Sequence, residues 1–191
     1  MRKNIIKQYI LEDFYRYYGE ETNKKTYLRY AYTYPNIAFT RNLRLAKYYK
    51  NKNKIKYIWY KLRHRKLFYK YSFQIPFETT IGRGFYLAHF GNIIINQGSI
   101  IGNNVSIAQG VTIGKTNRGE NAGCPTIGDH VWIGANAVIV GKINIGNNVL
   151  IAPLSYVNFD IPSNSIVIGN PAKIILRENA TEGYIENAIK I

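Results

Sequence analysis

Residues 101–114 read "IGNNVSIAQGVTIG", and residues 127–157 read "IGDHVWIGANAVIVGKINIGNNVLIAPLSYV". An aliphatic residue returns at every sixth position: Ile101, Ile107, Ile113, then Ile127, Ile133, Ile139, Ile145, Ile151 and Val157. Ile81, Leu87 and Ile93 open the series, with a two-residue slip before Ile95. A period of six suits neither an α-helix nor a two-sided sheet. It suits a parallel β-helix, in which each six-residue unit supplies a short strand and a turn and three units close one coil with the anchors stacked inside. Pairs such as Gly102-Asn103-Asn104 and Gly146-Asn147-Asn148 predict turns that need positive φ. At about 4.8 Å between strands, residues 74–172 predict roughly five to six coils and a prism roughly 25 Å tall.

Between Ile113 and Ile127 the anchors stop, and "GKTNRGENAGCPT" intervenes. A prism has no internal need for this excursion, so the extended loop 114–126 is either a surface insertion or a functional arm. A lone histidine, His89 in "LAHFGN", falls two residues after the inward Leu87 and out of phase with the anchors.

Upstream of the prism the chemistry changes. Residues 1–72 hold 19 of the 26 Lys and Arg but 4 of the 11 acids, a balance of 19 − 4 = +15, and 14 of the 17 tyrosines. The remaining residues are neutral. Ile5, Ile6, Tyr9, Ile10, Phe14, Tyr17 and Tyr18 recur at helical spacing, as do Ile55, Ile58, Trp59, Leu62 and Tyr69 among many lysines and arginines. Residues 1–73 therefore predict a basic, Tyr-rich α-helical region punctuated by Pro35, followed by the prism over 74–173 and a tail over 174–191 that admits a short helix. The first 20 residues lack the small-residue cleavage site of a secretory signal, and no apolar run approaches the ~20 residues that span a bilayer. The chain is expected to be soluble and cytoplasmic, and the single Cys124 excludes an internal disulfide.

The repeats, the helical N-terminal region, the extended loop and the closing "GNPAK" (Gly169 to Lys173) resemble the serine acetyltransferase branch of the left-handed β-helix acyltransferases. The resemblance implies a mainly β, left-handed parallel β-helix, acetyl-CoA as acyl donor, no metal, and a homotrimer, or a dimer of trimers, with active sites between subunits. It places His89 on the catalytic histidine, the general base that lets an acceptor hydroxyl attack the thioester directly. It places Thr116, Ala135, Pro153 and Lys173 along the CoA groove, with Lys173 near the nucleotide phosphates.

The departures from the family pattern are equally specific. Gln74 stands where an aspartate orients the histidine, with Glu78 as a second candidate for that role. Ala88 replaces the aspartate that meets the serine amine, and Gly123-Cys124-Pro125 replaces the run that holds the serine carboxylate. A site without those charges predicts a neutral polyol acceptor, met by Tyr86, Asn92, Asn117, Asn121 and Cys124. With these departures the sequence looks more like the capsular and exopolysaccharide O-acetyltransferase branch of the family, and that resemblance implies O-acetylation of a saccharide hydroxyl as the expected activity. Serine O-acetylation, to which the terminal Ile191 also points, and a non-catalytic scaffold are the alternatives. Cys124 is read as a small loop residue, and His64 and His130 as solvated or turn residues. The basic region admits subunit contacts, peripheral association with an anionic inner-membrane surface, or composition bias; no motif that reads nucleic acid accompanies the charge.

Overall fold

The computed structural model describes residues 3–19 and 24–191. Four helices, α1 (Lys3–Tyr18), α2 (Lys24–Thr33), α3 (Pro35–Tyr49) and α4 (Lys54–Tyr71), precede a three-sided parallel solenoid of about five turns. The first sheet stacks β1 (Phe73–Gln74), β4 (Ile93–Ile95), β7 (Thr112–Gly114), β10 (Val138–Val140) and β13 (Tyr156–Val157). The second stacks β2 (Thr80–Ile81), β5 (Ile100–Ile101), β8 (Thr126–Ile127) and β11 (Asn144–Ile145). The third stacks β3 (Tyr86–Leu87), β6 (Ser106–Ile107), β9 (Val131–Ile133), β12 (Val149–Ile151) and β14 (Ser165–Ile168), closed by the antiparallel β15 (Lys173–Leu176).

The six-residue period becomes vertical register. Ile95 lies under Ile113, Ile113 under Ile139 and Ile139 under Val157, while Ile107, Ile133 and Ile151 stack on the third side. All of them are buried in one continuous apolar column. At the corner between the second and third sheets the asparagines behave as expected, with Asn104 and Asn148 at φ 53. The glycines there have another cause. A Cβ on Gly82 would sit 2.5 Å from the Gly102 carbonyl oxygen, and one on Gly128 would sit 2.7 Å from that of Gly146, so the coils approach too closely for a side chain.

Pro35 begins a helix rather than merely interrupting one: it occupies the first turn of α3, where its missing N–H costs no bond. Asp13 of α1 clamps the helices to the prism. Its carboxylate accepts from Arg44 Nε at 2.9 Å, Arg44 Nη2 at 3.0 Å and Phe85 N at 2.9 Å, while Arg44 Nη1 donates to Ile81 O at 2.7 Å. Both side chains are buried. Burial pushes the Asp13 carboxyl above its usual range, against the pull of the Arg44 guanidinium.

Two expectations are corrected by packing. His64 is not solvated: it is buried against Phe39, Phe68 and Phe77, with Nε2 2.9 Å from Ile75 O. His130 is the turn residue anticipated, at φ 55 beside Asn104. The tail forms no helix. After β15 it runs back along the asparagine corner, where Asn104 holds Ile189 through both its amide atoms at 3.0 and 2.9 Å and Asn148 holds Thr181.

Candidate functional site

His89 lies in the turn from β3 to β4, at the corner between the third and first sheets. The turns after β6, β9 and β12 stack above it, so Ala135 and Pro153 stand on the same vertical edge; the Leu154 amide donates to Ala135 O at 3.0 Å. Lys173, paired with Ile168, stands exposed at the top of that edge. Five strand spacings of about 4.8 Å, β3 to β15, separate His89 from Lys173, about 24 Å in all. The turns between them carry Gly110, Ala135 and Pro153 beside the exposed Gln109, Asn136 and Leu154, an edge along which an extended pantetheine arm could run with its phosphates at the basic end.

The helices close one side of His89. A cleft of about 290 Å³ is lined by Tyr17, Tyr18, Tyr34, Pro35, Asn36, Ile37, Ala88, His89 and Phe90. Tyr17 and Leu87 are joined through the phenol oxygen, which donates to Leu87 O at 3.1 Å and accepts from Leu87 N at 3.2 Å. Burial pushes the Tyr17 hydroxyl far above its ordinary value, so it stays protonated. Asn36 directs Nδ2 to two carbonyls, Leu87 O at 2.7 Å and Ala88 O at 3.2 Å. Two acceptors fix which end of the amide is nitrogen, and the oxygen Oδ1 is left buried with no partner among the described residues. An orphaned acceptor costs about 1–3 kcal/mol unless something donates to it. Sequence reasoning missed Asn36 because nothing local marks it.

The other predicted residues divide among several places. His89 itself is exposed and forms no hydrogen bond among the described residues. Gln74, on the outer face of β1, pairs its backbone with Ile94 and has no recorded bond to the imidazole. Glu78 is turned elsewhere, with Oε1 3.2 Å from Lys50 Nζ. Asn92 is exposed in the same turn as His89. Tyr86 docks α1, its ring 4.5 Å from Tyr17 and beneath Arg16.

Thr116, Asn117, Asn121 and Cys124 all lie on the arm, at the opposite end of the first sheet from His89. The arm is a small hairpin closed by Thr116 N to Gly123 O at 3.0 Å and Gly123 N to Thr116 O at 2.8 Å. Asn121 ties it to the coils above through Lys142 N and Asn158 O, and Cys124 Sγ meets Asn96 Oδ1 at 3.3 Å. Asn117 is exposed toward the tip. Among the described residues, no three His, Cys, Asp or Glu side chains gather as a metal-binding group, and no helix is long and apolar enough to cross a membrane.

Residues 124–158 match the model for the bacterial transferase hexapeptide (six repeats). That stretch carries the repeat of bacterial hexapeptide transferases. Over 95 residues the chain is 43% identical to serine acetyltransferase 2 of Arabidopsis thaliana, covering 50% of this chain and 29% of that protein. Another 38% identity over 103 residues links it to a serine acetyltransferase of Staphylococcus aureus, covering 54% and 48%. The chain therefore spans half or less of the length of these curated relatives. The solved serine acetyltransferase of Neisseria gonorrhoeae superposes with a TM-score of 0.74 at 27% identity, over 92% of this chain and 68% of that one, and so includes the helical region. These relatives correct the placement of this hexapeptide protein in a polysaccharide-acetylating branch: the proteins it resembles act in serine acetylation, and the sugar acceptor inferred from missing charges is set aside.

Proposed function

We propose that this hexapeptide protein transfers the acetyl group of acetyl-CoA to the hydroxyl of serine. The observation that carries the reading is the single edge on which His89, Ala135, Pro153 and Lys173 stack, in a chain whose likeness to serine acetyltransferases spans both helices and prism. Solved relatives include serine acetyltransferases in complex with serine, at 29% identity, and with CoA, at 25%.

In this reading CoA lies along the edge, its phosphates toward Lys173 and its thioester beside His89. The imidazole, acting as general base, takes the acceptor's hydroxyl proton as the oxygen attacks the thioester carbonyl. The tetrahedral intermediate collapses with loss of the CoA thiolate, which receives that proton from the imidazolium. Asn36 Oδ1 accepts from the substrate ammonium and so takes over the task that Ala88 cannot perform. The arm lies a full sheet width from His89 within one protomer. Asn117, Asn121 and Thr116 would complete the site only from a neighbouring copy, which supports a trimer with sites between subunits.

The test is coupled detection of free CoA with L-serine as acceptor and O-acetylserine as product. His89→Ala should lower kcat/KM by at least about 10²-fold with CoA affinity retained. Absence of serine-dependent CoA release by the parent chain, or parent rates in the His89 variant, would overturn the assignment.

A further inference from the structure

Helix α4 has two apolar faces. One packs on the protein through Tyr57, His64 and Phe68. On the far side stand Ile55, Ile58, Trp59, Leu62 and Tyr69, exposed by 81, 46, 51, 60 and 69%. Their spacing of three, four and seven gathers them into one stripe. Lys54, Lys61 and Arg65 flank it on one side, and Lys56, Arg63 and Lys70 on the other, while the exposed Lys66 rises from within the stripe itself, its stem along the apolar surface. The helix contains no acidic residue. Among the described residues none of these cations meets a carboxylate, since the three ion pairs belong to Arg44, Lys50 and Arg83. Two of them lie over the stripe's own rings instead, Arg63 5.4 Å from the Trp59 ring and Arg65 5.9 Å from that of Tyr69.

An exposed apolar stripe between unpaired cationic rows sets two demands on whatever covers it. Nucleic acid would neutralise the cations and leave isoleucine and leucine against a polyanion. A second copy meeting α4 about a twofold axis would cover the stripe and bring like charges together. An anionic bilayer answers both: the stripe enters the boundary between headgroups and acyl chains, Trp and Tyr sit at headgroup depth, and Lys and Arg reach lipid phosphates with their stems along the apolar surface. We propose that α4 lies flat in the surface of an anionic membrane and anchors the protein there. Because Tyr71, at the end of α4, packs near Phe90, docking holds the His89 cleft close to the lipid surface.

The experiment uses the full chain with vesicles of phosphatidylglycerol and phosphatidylcholine, against phosphatidylcholine alone, in a sedimentation assay. Binding should require the anionic lipid and weaken as salt rises. Ile55→Ser and Leu62→Ser, both at exposed positions that leave the fold intact, should each weaken binding roughly tenfold. Arg63→Glu should do so by more, and a Trp132→Phe background should show Trp59 emission shifting to the blue on the vesicles. Three results would overturn the proposal. One is no binding to the anionic vesicles. Another is binding that Arg63→Glu abolishes and the serine variants leave untouched, the mark of a polyanion site without insertion. The third is serine variants that dissociate an oligomer while vesicle binding persists.

Discussion

Replacing Asp13 by alanine removes the carboxylate that Arg44 pairs with among the described residues. The guanidinium stays buried, still donating to Ile81 O and Gly82 O, with no charge to balance it, while the Phe85 amide loses its acceptor. Breaking a buried pair by deleting one partner costs about 3–5 kcal/mol, and an unpaired buried amide adds about 1 kcal/mol or more. Against a typical total of about 5–15 kcal/mol, the expected loss is about 4 kcal/mol. The clamp joins α1 to α3 and the first coil, so the damage should begin in the helices. In urea, helical circular dichroism should fall at a much lower midpoint than in the parent, whereas Trp132 fluorescence, read in a Trp59→Phe background and reporting on β9 in the middle of the prism, should shift less. The double change Asp13→Leu with Arg44→Met removes both charges and should recover part of the loss. A loss below about 1 kcal/mol for Asp13→Ala would refute the clamp.

Two further outcomes follow from packing. Burial lowers the His64 pKa, so the folded chain refuses a proton that the unfolded chain accepts near pH 6.5; stability is full above about that pH and declines as acidity takes the imidazole down toward its folded value, by up to about 1.4 kcal/mol per pH unit. Urea midpoints measured across that range should flatten in His64→Gln, and a variant as pH-sensitive as the parent would contradict the assignment. Gly128→Ala should lower the thermal midpoint by an amount corresponding to about 1–3 kcal/mol, since its Cβ would meet the Gly146 backbone rather than a movable side chain; an unchanged midpoint would show that the coils can separate.

The prism was legible because its rule is local. Every sixth residue points inward whatever surrounds it, so Ile101 through Val157 could be registered by counting. The glycines at the second corner were visible too, yet their cause was misread: Gly102 and Gly128 yield to a carbonyl one coil away, a neighbour 18 or more residues distant in sequence. His64 was misjudged because Arg63 and Arg65 beside it suggested solvent. Its helical neighbours Tyr57, Tyr60, Leu67, Phe68 and Tyr71 carried the opposite signal, which the apolar stripe of Ile55, Ile58, Trp59, Leu62 and Tyr69 on the other face obscured.

The acceptor was misread for a related reason. Counting the charges absent from Ala88, Gly123 and Cys124 treats the site as if the prism alone built it. Yet the cleft at His89 is half helical, and Asn36 reaches it across 53 residues of sequence, with its donor group on the Leu87 and Ala88 carbonyls and an acceptor left over. A polar group supplied by a separate element leaves no gap pattern in the repeat. The substitution Asn36→Leu tests this step directly: the side chain keeps its volume and loses both amide functions. If Oδ1 receives the substrate's ammonium, KM for serine should rise by about tenfold or more while CoA affinity stays near the parent value. A variant with parent KM would return the task of amine recognition to the arm of a neighbouring copy.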